Sequence, residues 1–301
     1  MSITSSTPVQ NTPAQKQPSS SLFLDLLALS HIFNGVASAL AAGIGYLATV
    51  WYIKSPIDPV AFLSAMLATL CLSNAGFVIN DILDIDIDRI NRPDRPLAAG
   101  RVPLWLAWTL YAAYTLIGIT LAWAINPATG AVGVIIALVL FLYSYDLKKR
   151  FLFGHVVIGL SGALLLPFGG FAAGSTLLLI TIPVIFAAFF AREVLKTIPD
   201  AEGDRAHGVE NITTRFGANT ARRVGQIMLA ICAVALPLLR LFWALNNWYL
   251  AAVALVIWPL MAYSLLRLQN LDAENKNVTA ILRVSKLLFL LVAIAILIGS
   301  L

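Results

Sequence analysis

Nine apolar runs, each long enough to cross a bilayer as a helix, limit what this chain can fold into. They lie at about 22–50, 59–80, 103–124, 128–145, 154–172, 177–198, 220–243, 247–268 and 280–300. A spanning helix needs roughly 20 apolar residues. Strands are much shorter, and backbone groups in lipid must be paired within the segment itself. The runs therefore predict an all-α, polytopic membrane bundle of nine transmembrane helices. The charged fraction agrees: it is 12%, against about 25% in soluble domains. Such a surface cannot face water throughout.

Residues 1–21 differ. They are rich in Ser, Thr, Pro and Gln and read as a disordered tail. The remainder, 22–301, reads as one transmembrane domain. The net charge of +5 could suggest nucleic acid. The placement of the cations excludes that partner. Beyond the tail, all Lys and Arg except Lys54 and Arg240 fall in or beside the connections after even-numbered spans. This asymmetry puts the N-terminus and those loops in the cytoplasm, and suits a cell (inner) membrane.

Shifting the sequence against itself by 120 residues places Asn80 on Asp200, Asp84 on Asp204, Asn91 on Asn211 and Arg95 on Arg215. Tyr143 and Ser144 fall on Tyr263 and Ser264. An internal four-helix repeat is expected, as in other membrane folds.

Ten of the fifteen acidic residues gather in two places, five between Asp81 and Asp94 and five between Glu193 and Glu210. On one helix, Asp81, Asp84 and Asp88 share a stripe with Asn80 beside Asp84, while Asp86 points away. Asp200 and Asp204 are four apart, Arg192 and Lys196 continue their face, and Glu202 lies roughly opposite. Clustered carboxylates repel unless cations join them. Hard oxygen ligands suit Mg²⁺, which takes one or two carboxylates, several waters and substrate phosphate. Two such stripes with cations nearby suit a diphosphate held between metal ions, with an apolar tail below.

The segment Asn80-Asp81-x-x-Asp84-x-x-x-Asp88, followed by Asn91-Arg92-Pro93-x-Arg95-Pro96-Leu97, resembles the first signature of the UbiA superfamily of intramembrane prenyltransferases. Asp200-x-x-x-Asp204 resembles the second. Tyr143-Ser144 followed by Lys148 and Arg150 is similar to the family's loop after the fourth span. The resemblance covers the chain beyond residue 22, and the long form of the first motif is specific where a bare Asp-x-x-x-Asp is not.

The resemblance implies that Asn80, Asp81, Asp84 and Asp88 hold one Mg²⁺ and Asp200 and Asp204 a second. Lys148, Arg92, Arg95, Arg150, Arg192, Lys196 and Arg205 are expected at the substrate, and Asn34 is expected to face the cavity. Asp84, Asp88, Asp204, Lys148 and Tyr143 are the expected catalytic set, Tyr143 steadying an allylic cation. His31 stands where an Arg is often found three residues before that Asn. The implied reaction is Mg²⁺-dependent transfer of a polyprenyl group from its diphosphate to a lipophilic acceptor. Asn91-Arg92-Pro93-Asp94-Arg95-Pro96 leans toward enzymes acting on geranylgeranylglyceryl phosphate. Aromatic or tetrapyrrole acceptors (homogentisate, 4-hydroxybenzoate, chlorophyllide) are the alternative.

A transporter is the rival from another class, since intramembrane acids mark ion paths. Transport sites tend toward the midplane, whereas these acids lie at helix ends. His155 and His207 read as loop-end residues without a second ligand. Cys71 and Cys232 read as small core residues.

Overall fold

The computed structural model describes residues 21–206, 208–269 and 276–301. Nine helical segments among them are long and apolar enough to cross a membrane: Ile32–Tyr52, Pro59–Leu83, Leu104–Ile125, Pro127–Tyr145, Phe153–Ala172, Leu177–Lys196, Ala218–Phe242, Asn247–Arg267 and Lys276–Gly299. The tail expected over 1–21 lies outside the described residues except for Ser21. That residue is not tail: its hydroxyl accepts from the Leu24 amide and caps the first helix.

The expected span at 22–50 is two helices. Helix α1 (Leu22–Leu29) ends at Ser30, and α2 (Ile32–Tyr52) begins after His31, whose φ of 49° is left-handed. This conformation cannot continue an α-helix, so only α2 spans. Helix α1 exposes Leu22, Phe23 and Leu24 and buries Asp25, which accepts from Arg101 Nε at 2.9 Å.

The second span, α3 (Pro59–Leu83), starts on an Asp58 cap with Pro at its first turn. It is interrupted at Asp84 (φ −104°, ψ 10°), and α4 (Ile85–Asn91) follows. The Asp84 amide still bonds Asn80 O and the Asp88 amide still bonds Asp84 O. The acids therefore stay grouped although the single helix expected for them is broken.

Helices α5 (Leu104–Ile125) and α6 (Pro127–Tyr145) form the next pair. The fifth span breaks at Leu164 into α7 (Phe153–Ala163) and α8 (Leu165–Ala172). The sixth opens with a 3₁₀ turn at Leu177–Thr181 and continues as α9 (Ile182–Lys196). Short helices α10 (Ala201–Ala206) and α11 (Ile212–Phe216) cross the connection to α12 (Ala218–Phe242). The eighth span runs through α13 (Asn247–Ala252), a π-helical stretch at Val253–Ile257 and α14 (Trp258–Arg267). The stretch ends two residues before Pro259, which offers no N–H to the ladder. Helix α15 (Lys276–Gly299) closes the bundle.

Small residues set the closest crossing. A Cβ on Gly45 would sit 2.2 Å from Leu166 O, and one on Gly169 would sit 1.9 Å from Ala42 O. Helices α2 and α8 thus meet backbone to backbone, as membrane helices do where lipid offers no hydrophobic drive for association. Three apolar cores result among the described residues, two of them large. One of the two joins α2, α3 and α8 around Tyr46, Leu72 and Phe168. The other joins α9 and α12–α15 around Leu236, Trp243 and Tyr249. Large apolar side chains cover the outside, Phe33, Leu241 and Leu255 among them, as a lipid-facing surface requires.

Candidate active site

A cavity of about 820 Å³ is lined from both large cores. Its polar part is built by the end of α3, by α4, by the connection after α6 and by the segment from α9 to α11. Its apolar part descends along Leu72, Leu140, Phe168, Phe189 and Phe289, with the last two rings stacked at 3.9 Å.

The acids of the first motif are held by cations from distant sequence. Arg95 donates through one nitrogen to Asp81 Oδ1 at 2.7 Å and Asp88 Oδ2 at 2.6 Å. His31 Nε2 lies 2.9 Å from Asp81 Oδ2. Asn80 Nδ2 donates to Asp84 Oδ2 at 2.9 Å, and Lys148 Nζ pairs with Asp84 Oδ1. In the second motif Asn211 Nδ2 donates to Asp204 Oδ2 at 2.8 Å. Arg92 reaches across to Asp200 Oδ2 at 3.4 Å and so joins the two motifs. Glu193 is buried between Arg192 (2.5 Å) and Lys196 (3.6 Å).

Burial, with like-charge neighbours behind it, shifts the ionisation of three groups of this site. Burial pushes the Asp204 carboxyl up to about 6, and Asp200 adds to the shift. Burial also raises Asp88, against the pull of Arg95 and with help from Asp81 and Asp84. Burial lowers the Lys148 ammonium, which Asp84 partly offsets. All three shifts have the sign that added opposite charge would relieve.

No three acidic or His/Cys side chains among the described residues converge on one point as a ready-made metal cage. Mg²⁺ does not need one, because it keeps waters and takes one or two carboxylates beside substrate phosphate. The oxygen-only donors Asn80, Asp81, Asp84, Asp88, Asp200 and Asp204 fit that chemistry.

Of the residues expected at the site, Asn34, Asn80, Asp81, Asp84, Asp88, Arg92, Arg95, Tyr143, Lys148, Arg150, Arg192, Lys196, Asp200 and Asp204 all line the cavity. Arg205 does not; it is exposed on α10. Asp86 and Glu202 are also exposed, as the helical spacing predicts. Arg150 stands at the rim and pairs with Asp146 at 2.5 Å.

Among the lining residues to which sequence reasoning gave no site role, four carry polar or ionisable groups that matter here. Glu193 and Lys286 stand within apolar spans, and Asn211 caps α11 while it holds Asp204. His155, expected to be a loop-end residue, sits in the first turn of α7 and faces the cavity. An ionisable residue inside a span is the signal that could have found Glu193 and Lys286. His207 lies outside the described residues. Cys71 and Cys232 are both buried, and Cys232 also lines the cavity.

A family model described as the UbiA prenyltransferase family matches residues 36–292. The digeranylgeranylglyceryl phosphate synthase of Sulfurisphaera tokodaii is 33% identical over 253 residues, covering 82% of this chain and 89% of that protein. The synthase of the same name from Methanoregula boonei is 35% identical over 234 residues, 76% and 81% of the two chains. A solved structure described as concerning digeranylgeranylglyceryl phosphate synthase in membranes superposes with TM-score 0.74 at 27% identity, covering 93% and 98%. A UbiA homolog from Archaeoglobus fulgidus bound to GPP and Mg²⁺ gives TM-score 0.73 at 19% identity over 91% and 99%, which is a likeness of fold.

Proposed function

Because the chain belongs to the UbiA prenyltransferase family, we propose that it transfers a geranylgeranyl group from its diphosphate to geranylgeranylglyceryl phosphate, forming an ether lipid. The observation that carries the transfer is the meeting of the two acidic motifs at one cavity, joined by Arg92 and Asp200. The names of relatives at 33% and 35% identity support the acceptor.

Asn80, Asp81, Asp84 and Asp88 would hold one Mg²⁺, and Asp200 with Asp204 a second. When bound, the ions would neutralise charge on the leaving diphosphate. The chain's own part is positioning and electrostatics. Lys148, Arg92 and Lys196 offer donors to the diphosphate oxygens. The bond from the allylic carbon to the diphosphate oxygen breaks, the acceptor hydroxyl oxygen takes that carbon, and the hydroxyl proton is released. Tyr143, between the two motifs, would face the developing allylic cation. Leu72, Leu140, Phe189 and Phe289 would hold the hydrocarbon and keep out water that would quench the cation.

The 120-residue repeat remains part of this proposal. Asn80 and Asp200, Asp84 and Asp204, and Asn91 and Asn211 all line the one cavity. We also propose that the basic loops face the cytoplasm of a cell membrane.

The test uses purified protein with Mg²⁺ and radiolabelled geranylgeranyl diphosphate. Geranylgeranylglyceryl phosphate, homogentisate, 4-hydroxybenzoate and chlorophyllide are offered separately, beside Asp84→Ala and Asp204→Ala. Ether product from the first acceptor alone, lost in both variants, is expected. Prenylation of an aromatic acceptor instead would overturn the acceptor.

A further inference from the structure

Lys286 has no role in the chemistry above. It lies about 15 Å along α15 from Lys276, in a helix that is apolar from Leu287 to Ile298. Its side chain nevertheless lines the cavity, and Nζ donates to Asn34 Oδ1 of α2 at 3.4 Å. Among the described residues no carboxylate lies within 4.0 Å of it or of Lys149, the other lysine of the lining without one, whereas Arg92, Arg95, Lys148, Arg192 and Lys196 each have one. Lys286 ends the polar first part of α15, which also carries Arg283 and Ser285, and its ammonium is exposed and open to an anion or water. Here the neighbours on its own helix are Leu282, Phe289 and Leu290, all lining the same cavity.

The position argues for which anion it meets. The acidic motifs and their cations occupy α3, α4, the connection after α6 and α9 to α11. Lys286 and Asn34 stand on α15 and α2, which carry neither motif. A donor diphosphate is already matched on the motif side. On the proposed reading, the acceptor brings a second phosphate on the same glycerol as the attacking hydroxyl. We infer that Lys286, with Asn34 beside it, forms a phosphate subsite for the acceptor and thereby orients the hydroxyl toward the reacting carbon. An ammonium bound to a phosphate oxygen is a charge-assisted hydrogen bond of the stronger kind. This inference rests on the proposed acceptor, and it marks Lys286 as a positioning and specificity residue.

The test compares wild type with Lys286→Ala, Lys286→Gln and Lys286→Arg in detergent. The KM for geranylgeranylglyceryl phosphate rises by about ten- to a hundredfold in the Ala and Gln variants, the loss of one charge-assisted contact. Arg restores most of it, and the KM for geranylgeranyl diphosphate stays within about twofold. Geranylgeranylglycerol, which lacks the phosphate, is a poor acceptor for wild type and equally poor for Lys286→Ala. If Lys286→Ala weakens both acceptors alike, or neither, the subsite is wrong.

Direct binding of geranylgeranylglyceryl phosphate, measured by calorimetry without donor, separates the two readings. Lys286-dependent binding without turnover would keep the subsite and overturn the proposed reaction. Turnover in wild type with unchanged binding in Lys286→Ala would do the reverse. Phosphatidic acid is the competitor: competition as strong as the acceptor's own would assign Lys286 to bulk phospholipid headgroups and overturn the acceptor subsite.

Discussion

Arg92 and Asp200 are 108 residues apart in sequence, yet a guanidinium nitrogen of the first lies 3.4 Å from a carboxylate oxygen of the second. Both are partly exposed to the cavity. The contact is long, so each group keeps capacity for a ligand placed between the motifs. Arg92→Ala should lose about tenfold in kcat/KM for the prenyl diphosphate, the scale of one charge-assisted contact, and Asp200→Asn, which also removes a proposed Mg²⁺ ligand, should lose more. The double variant should lose less than the product of the two, because neighbours in one network are not additive. Steady-state kinetics of the four proteins measures this coupling.

Arg95 ties two nearly buried carboxylates, Asp81 and Asp88, through one nitrogen. Arg95→Ala leaves both without that counter-charge and should cost about 3 kcal/mol. Arg95→Lys can follow one carboxylate but lacks the planar fork, and should recover only part of the loss. Thermal unfolding in detergent, without Mg²⁺, reads the order wild type, Lys, Ala.

The Asp204 carboxyl, raised to about 6, gives a pH signature with opposite signs for stability and activity. Between the ordinary carboxylate pKa and about 6 the folded protein holds this proton more tightly than the unfolded chain. Metal-free stability contributed by this group therefore falls as pH rises through that window. Activity needs the ionised ligand and so changes in the opposite sense, rising with pH, and bound Mg²⁺ draws that rise below about 6. Asp204→Asn should raise the metal-free Tm at pH 8, leave it unchanged at pH 4, and abolish transfer. An unchanged Tm at pH 8 would remove the account of the shift.

Two glycines separate loss of function from loss of fold. A Cβ on Gly203 would sit 1.8 Å from Asn91 Oδ1, a side-chain atom that can move. Gly203→Ala should fold but displace Asn91 from the cavity and lower kcat. A Cβ on Gly169 would meet Ala42 O and the Tyr46 amide, at 1.9 and 2.5 Å. Backbone on another helix cannot step aside, so Gly169→Ala should cost about 3 kcal/mol or more. Expression yield and size-exclusion profile should separate the two variants before any assay.

The sequence by itself determined the number of spans, their order and the membership of the cavity to a large extent. Apolar length is a local property, and the solvation of a backbone in lipid leaves one answer for a run of about 20 residues. Helical spacing also foretold the exposed Asp86 and Glu202. Both acidic motifs were legible by type and spacing, Asn34, Tyr143 and Lys148 through the family resemblance, and all line the cavity.

Tertiary structure alone decided how those groups are paired. That Arg95 bridges Asp81 and Asp88, that Lys148 meets Asp84, and that Arg92 reaches Asp200 depends on helix packing, which periodicity does not encode. The left-handed turn at His31 and the interruption at Asp84 were hidden as well, since no Gly or Pro marks either point. Lys286 was counted from sequence as one more loop-side cation. Only the approach of α15 to α2 brings it to Asn34 at the cavity.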